Sequence, residues 1–145
     1  MPWGDEMKKI TDENCISLIR EKFPKFVPYW ESFVSCWGGN QGLTVQMLPL
    51  CEFVVDVIKT NDQIEIKAIF DFVEFLICNG DESVKDAITT SVLEYLLSKD
   101  PDEIKFSKFS KLLGENTIGY CRAWDEFTGV KTNGLWGNEK PRKPR

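Results

Sequence analysis

A chain of 145 residues, 42% hydrophobic and 28% charged, is long enough to enclose one proper core and too apolar to be disordered. It has no histidine, which removes the commonest general base, the commonest metal ligand and the usual partner of a catalytic serine or cysteine. The net charge of −5 is unevenly spread: residues 1–129 carry 13 basic and 22 acidic side chains, a balance of −9, whereas residues 130–145 carry five basic and one acidic, +4. An acidic body disfavours a nucleic-acid surface and favours a basic partner, the alternative being that acidity merely keeps the chain soluble.

The opening stretch MPWGDEMKKI contains no apolar run of signal-peptide type, and no later stretch reaches membrane-spanning length, so the expected compartment is the cytoplasm. Thr11 and Asp12 are placed to cap a first helix through Ile16, Leu18, Ile19 and Phe23, which Pro24 stops. A second, from about Pro28 to Trp37, takes proline in its first turn and ends at Gly38-Gly39. Its aromatic residues Tyr29, Trp30, Phe33 and Trp37 are expected in the core, a binding groove being the other use of such a face. Thr44 is expected to cap a third helix reaching about Thr60, with a kink or a late start at Pro49.

Ile64 to Leu97 is the most strongly patterned stretch. Ile66, Ile69, Phe70, Val73, Leu76 and Ile77 recur at helical spacing, and Phe72 and Phe75 lie outside that stripe, which predicts burial on more than one side. Lys67 can reach Asp71 one turn on. Asn79-Gly80-Asp81 breaks the pattern: Gly80 suits a left-handed residue past a helix end, and Asp81 suits the cap of the next helix. Val84, Ala87, Ile88, Ser91, Val92, Tyr95 and Leu96 then repeat the pattern, so the two segments form an antiparallel hairpin.

After Asp100-Pro101, Ile104, Phe106, Phe109, Leu112 and Leu113 read as a shorter helix ending at Gly114. Asn116 or Thr117 caps a last helix through Ile118, Cys121, Trp124 and Phe127, closed by Gly129. Periodicity stops at Val130, so residues 1–129 read as one helical domain and 130–145 as an irregular basic tail that Trp136 can dock. The predicted fold class is all-α, a compact array of about seven helices in antiparallel hairpins, HEAT-like or an irregular bundle.

Cys15, Cys36, Cys51, Cys78 and Cys121 are odd in number, widely spaced and without a CxxC pair, and are expected as buried free thiols of a reducing compartment. There is no glycine-rich phosphate loop and no loop of alternating carboxylate ligands, so no cofactor, metal or catalytic residue is assigned. Seven acids lie between Asp62 and Asp86 against Lys67 and Lys85. Such a field steers a basic protein in and opposes its nucleic-acid substrate. Asp71, Glu74, Asp81, Glu82 and Asp86 are therefore the candidate partner contacts, a solvated helix face being the plain alternative. The cations Lys140, Arg142, Lys143 and Arg145 on a proline-broken end are too few to hold nucleic acid.

The segments FVEFLICNGDESVKDAITTSVLEYL (72–96) and KLLGENTIGYCRAWDEFTGVKTNGLW (111–136) carry a Glu74-x-Leu76 helix end, Gly80-Asp81, Glu94, a Leu112-Leu113-Gly114 run and a Tyr120-Cys121-x-x-Trp124-Asp125-x-Phe127-Thr128-Gly129 run. In these the chain resembles the small all-helical immunity proteins of bacterial polymorphic and contact-dependent growth-inhibition toxin systems. The likeness covers roughly the second half; residues 1–60 match nothing in it. It implies a cytoplasmic inhibitor without catalysis, forming a one-to-one heterodimer with the C-terminal domain of a cognate toxin, a basic domain expected to be a nuclease of RNase type. Neither direct nucleic-acid contact nor membrane binding is implied. Trp124 and Phe127 are expected as core anchors, and a cation, from this chain or a partner, is expected beside Asp125 and Glu126, because carboxylates near a helix C-terminus are unfavourable when unpaired. A helical adaptor with several partners is the alternative function.

Overall fold

A computed structural model of the chain describes residues 9–136. The helices are α1 (Cys15–Lys22), α2 (Val27–Trp37), α3 (Leu43–Gln46), α4 (Leu48–Lys59), α5 (Gln63–Asn79), α6 (Glu82–Asp86), α7 (Glu94–Ser98) and α8 (Glu115–Thr128). A π-helical segment, Ala87–Leu93, joins α6 to α7 into one rod, so the described residues form six longer helices and the one-turn α3, close to the predicted number. Among the described residues there is no strand; a single parallel bridge joins Ile10 to Gly80.

Helix α5 is the centre. Ile66, Ile69, Phe70, Phe72, Val73, Phe75 and Leu76 are all buried, which is the two-sided burial that its extra phenylalanines predicted. Helix α4 packs against α5 and the π segment on one side and α2 on another, while α8 closes the far side of α5. Ring packing knits these layers: Phe53 meets Tyr29 at 5.3 Å and Phe26 at 5.9 Å, and Phe70 stacks on Phe109 at 5.3 Å. Each buried phenylalanine ring among these contributes about 1.5–3 kcal/mol.

Several helix ends differ from the sequence expectation. Gly42 rather than Thr44 precedes α3, and the third helix is two pieces that meet at Met47, with Pro49 in the first turn of α4, as a late start requires. The left-handed residue of the central region is Asn61, at φ 60°, next to Asp62, whose carboxylate accepts from the amides of Ile64 and Glu65. Gly80 is extended, at φ −78°, so its value is not conformational. A Cβ there would sit 2.7 Å from the Leu76 carbonyl oxygen and 2.5 Å from Val84 Cγ1. The crowding comes from the hairpin itself, and the chain beside Ile10 docks on the same turn: the Ile10 amide donates to Asn79 O at 3.2 Å, and the Asp81 amide donates to Ile10 O at 2.8 Å.

The predicted helix between residues 101 and 114 is absent. Two 3-10 turns, Phe106–Lys108 and Ser110–Leu112, stand there instead. Ile104, Phe106 and Phe109 are all buried, but their spacing of two and three does not fit one helix face, and the Lys105 and Phe109 backbones are non-helical. The π segment was not foreseen either. The Thr89 and Thr90 hydroxyls donate back to the carbonyls of Lys85 and Asp86, at 2.8 and 2.6 Å, and this kind of back-bonding loosens the helical ladder. The widened turn is held from outside: Ser91 Oγ donates to Thr44 O of α3, and Cys51 Sγ of α4 to Ser91 O.

Residues 130–136 are irregular yet docked, with Leu135 fully buried. The cations Lys140, Arg142, Lys143 and Arg145 lie outside the described residues. All five cysteines are free; Cys15, Cys51 and Cys121 are buried, whereas Cys36 and Cys78 are exposed, against the expectation of uniform burial. Burial pushes the three inner thiols up to about 12, which keeps them protonated and inert.

Candidate partner-binding surfaces

The five acids singled out as partner contacts separate into different uses. Asp71 pairs with Lys67 at 2.8 Å on the α5 surface. Asp81 caps α6: its carboxylate accepts from the Val84 amide at 3.0 Å and the Ser83 hydroxyl at 2.8 Å, and these bonds hold it below the usual carboxylate range. Glu82 and Asp86 face outward on α6, Glu82 with a side chain 88% exposed and 4.0 Å from Lys85. The acidic face open to a partner is thus the outer side of α6.

Glu74 points the other way. Helix α8 begins after Gly114, which has no side chain to cap it, and neither Asn116 nor Thr117 serves as the cap. The Glu74 carboxylate reaches across from α5 and does so instead. It accepts from the Asn116 amide at 3.0 Å, Asn116 Nδ2 at 2.8 Å, the Thr117 amide at 2.8 Å and the Thr117 hydroxyl at 2.8 Å. Burial alone would raise its pKa, but the Asn116 and Thr117 bonds outweigh that and hold it below the usual carboxylate range. A Cβ on Gly114 would overlap the same carboxylate, so this glycine is required for room. Glu74 is thereby removed from the set of accessible contacts.

The other end of α8 is built by the same device. Asp125 is buried, and among the described residues it accepts from neutral donors of the following segment: the Thr132 amide and hydroxyl, each at 2.7 Å, and Trp136 Nε1 at 3.1 Å. Arg122 donates from Nε to Leu135 O at 2.7 Å and lies over the Trp136 ring. Trp124 is half-buried, but Phe127 is 81% exposed, so Phe127 is no core anchor. Between the ends of α8, Tyr120 donates to the Glu94 carboxylate of α7.

A second surface was legible only in part. Helices α2 and α4 enclose a groove of about 380 Å³, lined by Tyr29, Phe33, Cys36, Trp37, Pro49 and Glu52 among others. Of the aromatic face expected in the core, Phe33 is buried and Tyr29 and Trp30 half-buried, while Trp37 is 63% exposed. Val45 and Leu48, on the neighbouring α3 and α4, are exposed as well. The overlooked signal is charge: no lysine or arginine occurs between Lys25 and Lys59, whereas Glu31, Glu52 and Asp56 do. Helix α3 packs beside α6, which brings this apolar surface next to the element carrying Glu82 and Asp86.

Among the described residues no group of three or more histidine, cysteine, aspartate or glutamate side chains is placed to hold a metal ion. No described helix is long and apolar enough to cross a membrane. A family profile described as a domain of unknown function, DUF7674, matches residues 16–128, and the chain belongs to that family. The match takes in most of the first 60 residues, which the toxin-immunity likeness leaves out. No curated protein and no solved structure matches the chain.

Proposed function

We propose that this protein is an immunity protein that neutralises a cognate toxin by binding its C-terminal domain, a basic nuclease, over the active site or substrate cleft. The observation that carries this reading is a set of exposed apolar side chains, Trp37, Val45 and Leu48, set where every charge from Phe26 to Ile58 is negative. Exposed aromatic and aliphatic anchors bordered by one sign of charge are what a desolvated interface with an oppositely charged protein needs. Glu82 and Asp86 on the adjoining α6 extend the acidic rim, where carboxylates accelerate association with a basic partner and compete for the positions of its substrate's phosphates. The reading also rests on the sequence resemblance in residues 72–136.

The direct test expresses the C-terminal domain of the protein encoded immediately upstream, with and without this chain, and follows growth and complex formation. Rescue with a one-to-one complex on a sizing column is the expected result. Toxicity without rescue or complex overturns the proposal, and recovery of several partners at micromolar affinity would replace it with an adaptor.

A further inference from the structure

We propose that the α2–α4 groove is a receptor for an arginine side chain on the partner protein. It deepens the partner-binding reading and rests on it, but it is testable without any toxin. At about 380 Å³ the groove falls in the ordinary range of small-ligand sites, ~300–1,000 Å³. Its floor is apolar, with Phe33 and Pro49 buried, and the exposed Trp37 ring forms part of its wall. Tyr29 is held in place by its hydroxyl, which donates to Asp56 at 2.6 Å; that bond, with burial, pushes the phenol up to about 12, so the ring stays neutral. Glu52 lies on the lining, exposed, and makes no ion pair among the described residues.

A negative carboxylate beside aromatic faces, with no cation of the chain's own on either helix before Lys59, is complementary to a guanidinium. The planar group stacks on an indole or phenol face while its fork donates to a carboxylate, and it sheds water more readily than an ammonium does. Arginine is preferred over lysine here for that reason. The protein contains a built-in contrast: a cleft of about 440 Å³ between Leu96 and Asn133 is lined by Lys99, Lys105 and Lys131 against one carboxylate, Asp102, and this cationic excess should reject the same ligand.

The test titrates isotope-labelled full chain with the blocked peptide acetyl-Ala-Leu-Arg-Leu-Ala-amide and with its lysine and citrulline counterparts, read by amide and indole resonances. The arginine peptide is expected to shift the Trp37 indole and the backbone around Tyr29, Phe33 and Glu52, leaving the lysine-lined cleft unmoved. Citrulline should bind about tenfold more weakly, and Glu52→Gln and Trp37→Ala should each weaken the arginine peptide severalfold. Both positions are exposed, so the variants fold, which their amide spectra verify. Equal binding of arginine and citrulline, stronger binding of lysine, shifts elsewhere, or no shift at millimolar peptide each overturns the proposal. Peptide binding by a chain that rescues no toxin keeps the groove and removes the immunity reading. Rescue that E52Q and W37A leave intact keeps immunity and removes the groove.

Discussion

The seam between α5 and α8 and the face formed by α2 and α4 use the same residue type in opposite ways. Around α8, carboxylates are turned inward: Glu74 of α5 completes its start, Asp125 fastens the segment after it, and Glu94 of α7 accepts from Tyr120. On the α2–α4 face a single carboxylate, Asp56, accepts across the helices from the Tyr29 hydroxyl, and Glu52 is left to solvent beside an exposed tryptophan. The contrast teaches that a density of acids along a sequence does not locate a binding surface. What matters is whether a neighbouring element presents bare backbone amides that a carboxylate can satisfy. At the start of α8, which lacks a cap of its own, the bare amides draw Glu74 inward, whereas Glu52 on the flank of α4 meets no such donor among the described residues.

This contrast can be broken hardest at Glu74. Glu74→Ala should cost about 2–3 kcal/mol, the sum of a lost cap and buried Thr117 donors left unmet, measured by urea denaturation. Asp125→Ala should cost about 1–2 kcal/mol and release residues 130–136, read as faster amide exchange at Thr132 and a changed Trp136 emission. A milder probe is pH. Because the folded Glu74 carboxyl is held below its usual value, its stabilisation is fully present above the unfolded pKa of about 4.3 and is lost as pH falls through the lower folded value. The stability gap between the wild type and Glu74→Gln should therefore be constant at neutral pH and shrink below about pH 4.3. Least disruptive is the double reversal Glu82→Lys with Asp86→Lys: folding should change by less than about 0.5 kcal/mol, while association with the toxin domain slows and loses its salt dependence. Unchanged association would remove the α6 rim from the interface.

The helical class, the hairpin around α5 and the two-sided burial of Phe72 and Phe75 were legible because apolar periodicity is a local signal. So was the Lys67–Asp71 pair, one turn apart. Glu74 was misread because its partners, Asn116 and Thr117, are distant in sequence, and nothing local separates a solvated glutamate from one that caps a remote helix. Phe127 was misread for the converse reason: it keeps helical spacing with Cys121 and Trp124, but no element among the described residues buries that flank. The 101–114 region failed as a helix because Ile104, Phe106 and Phe109 are buried from turns that need no period. The π segment escaped because the Thr89 and Thr90 hydroxyls, which loosen the ladder, look in sequence like ordinary β-branched helix residues.

The cap that Glu74 supplies also bears on the order in which the chain acquires structure. Its acceptor and donor positions are separated by 42 residues at Asn116, and α8 has no substitute of its own at Gly114. A helix of 14 residues without a local start is marginal in isolation, since nucleation is the costly step. Helix α8 should therefore condense only onto an α5 already in place, making it a late, separable unit rather than part of the folding nucleus.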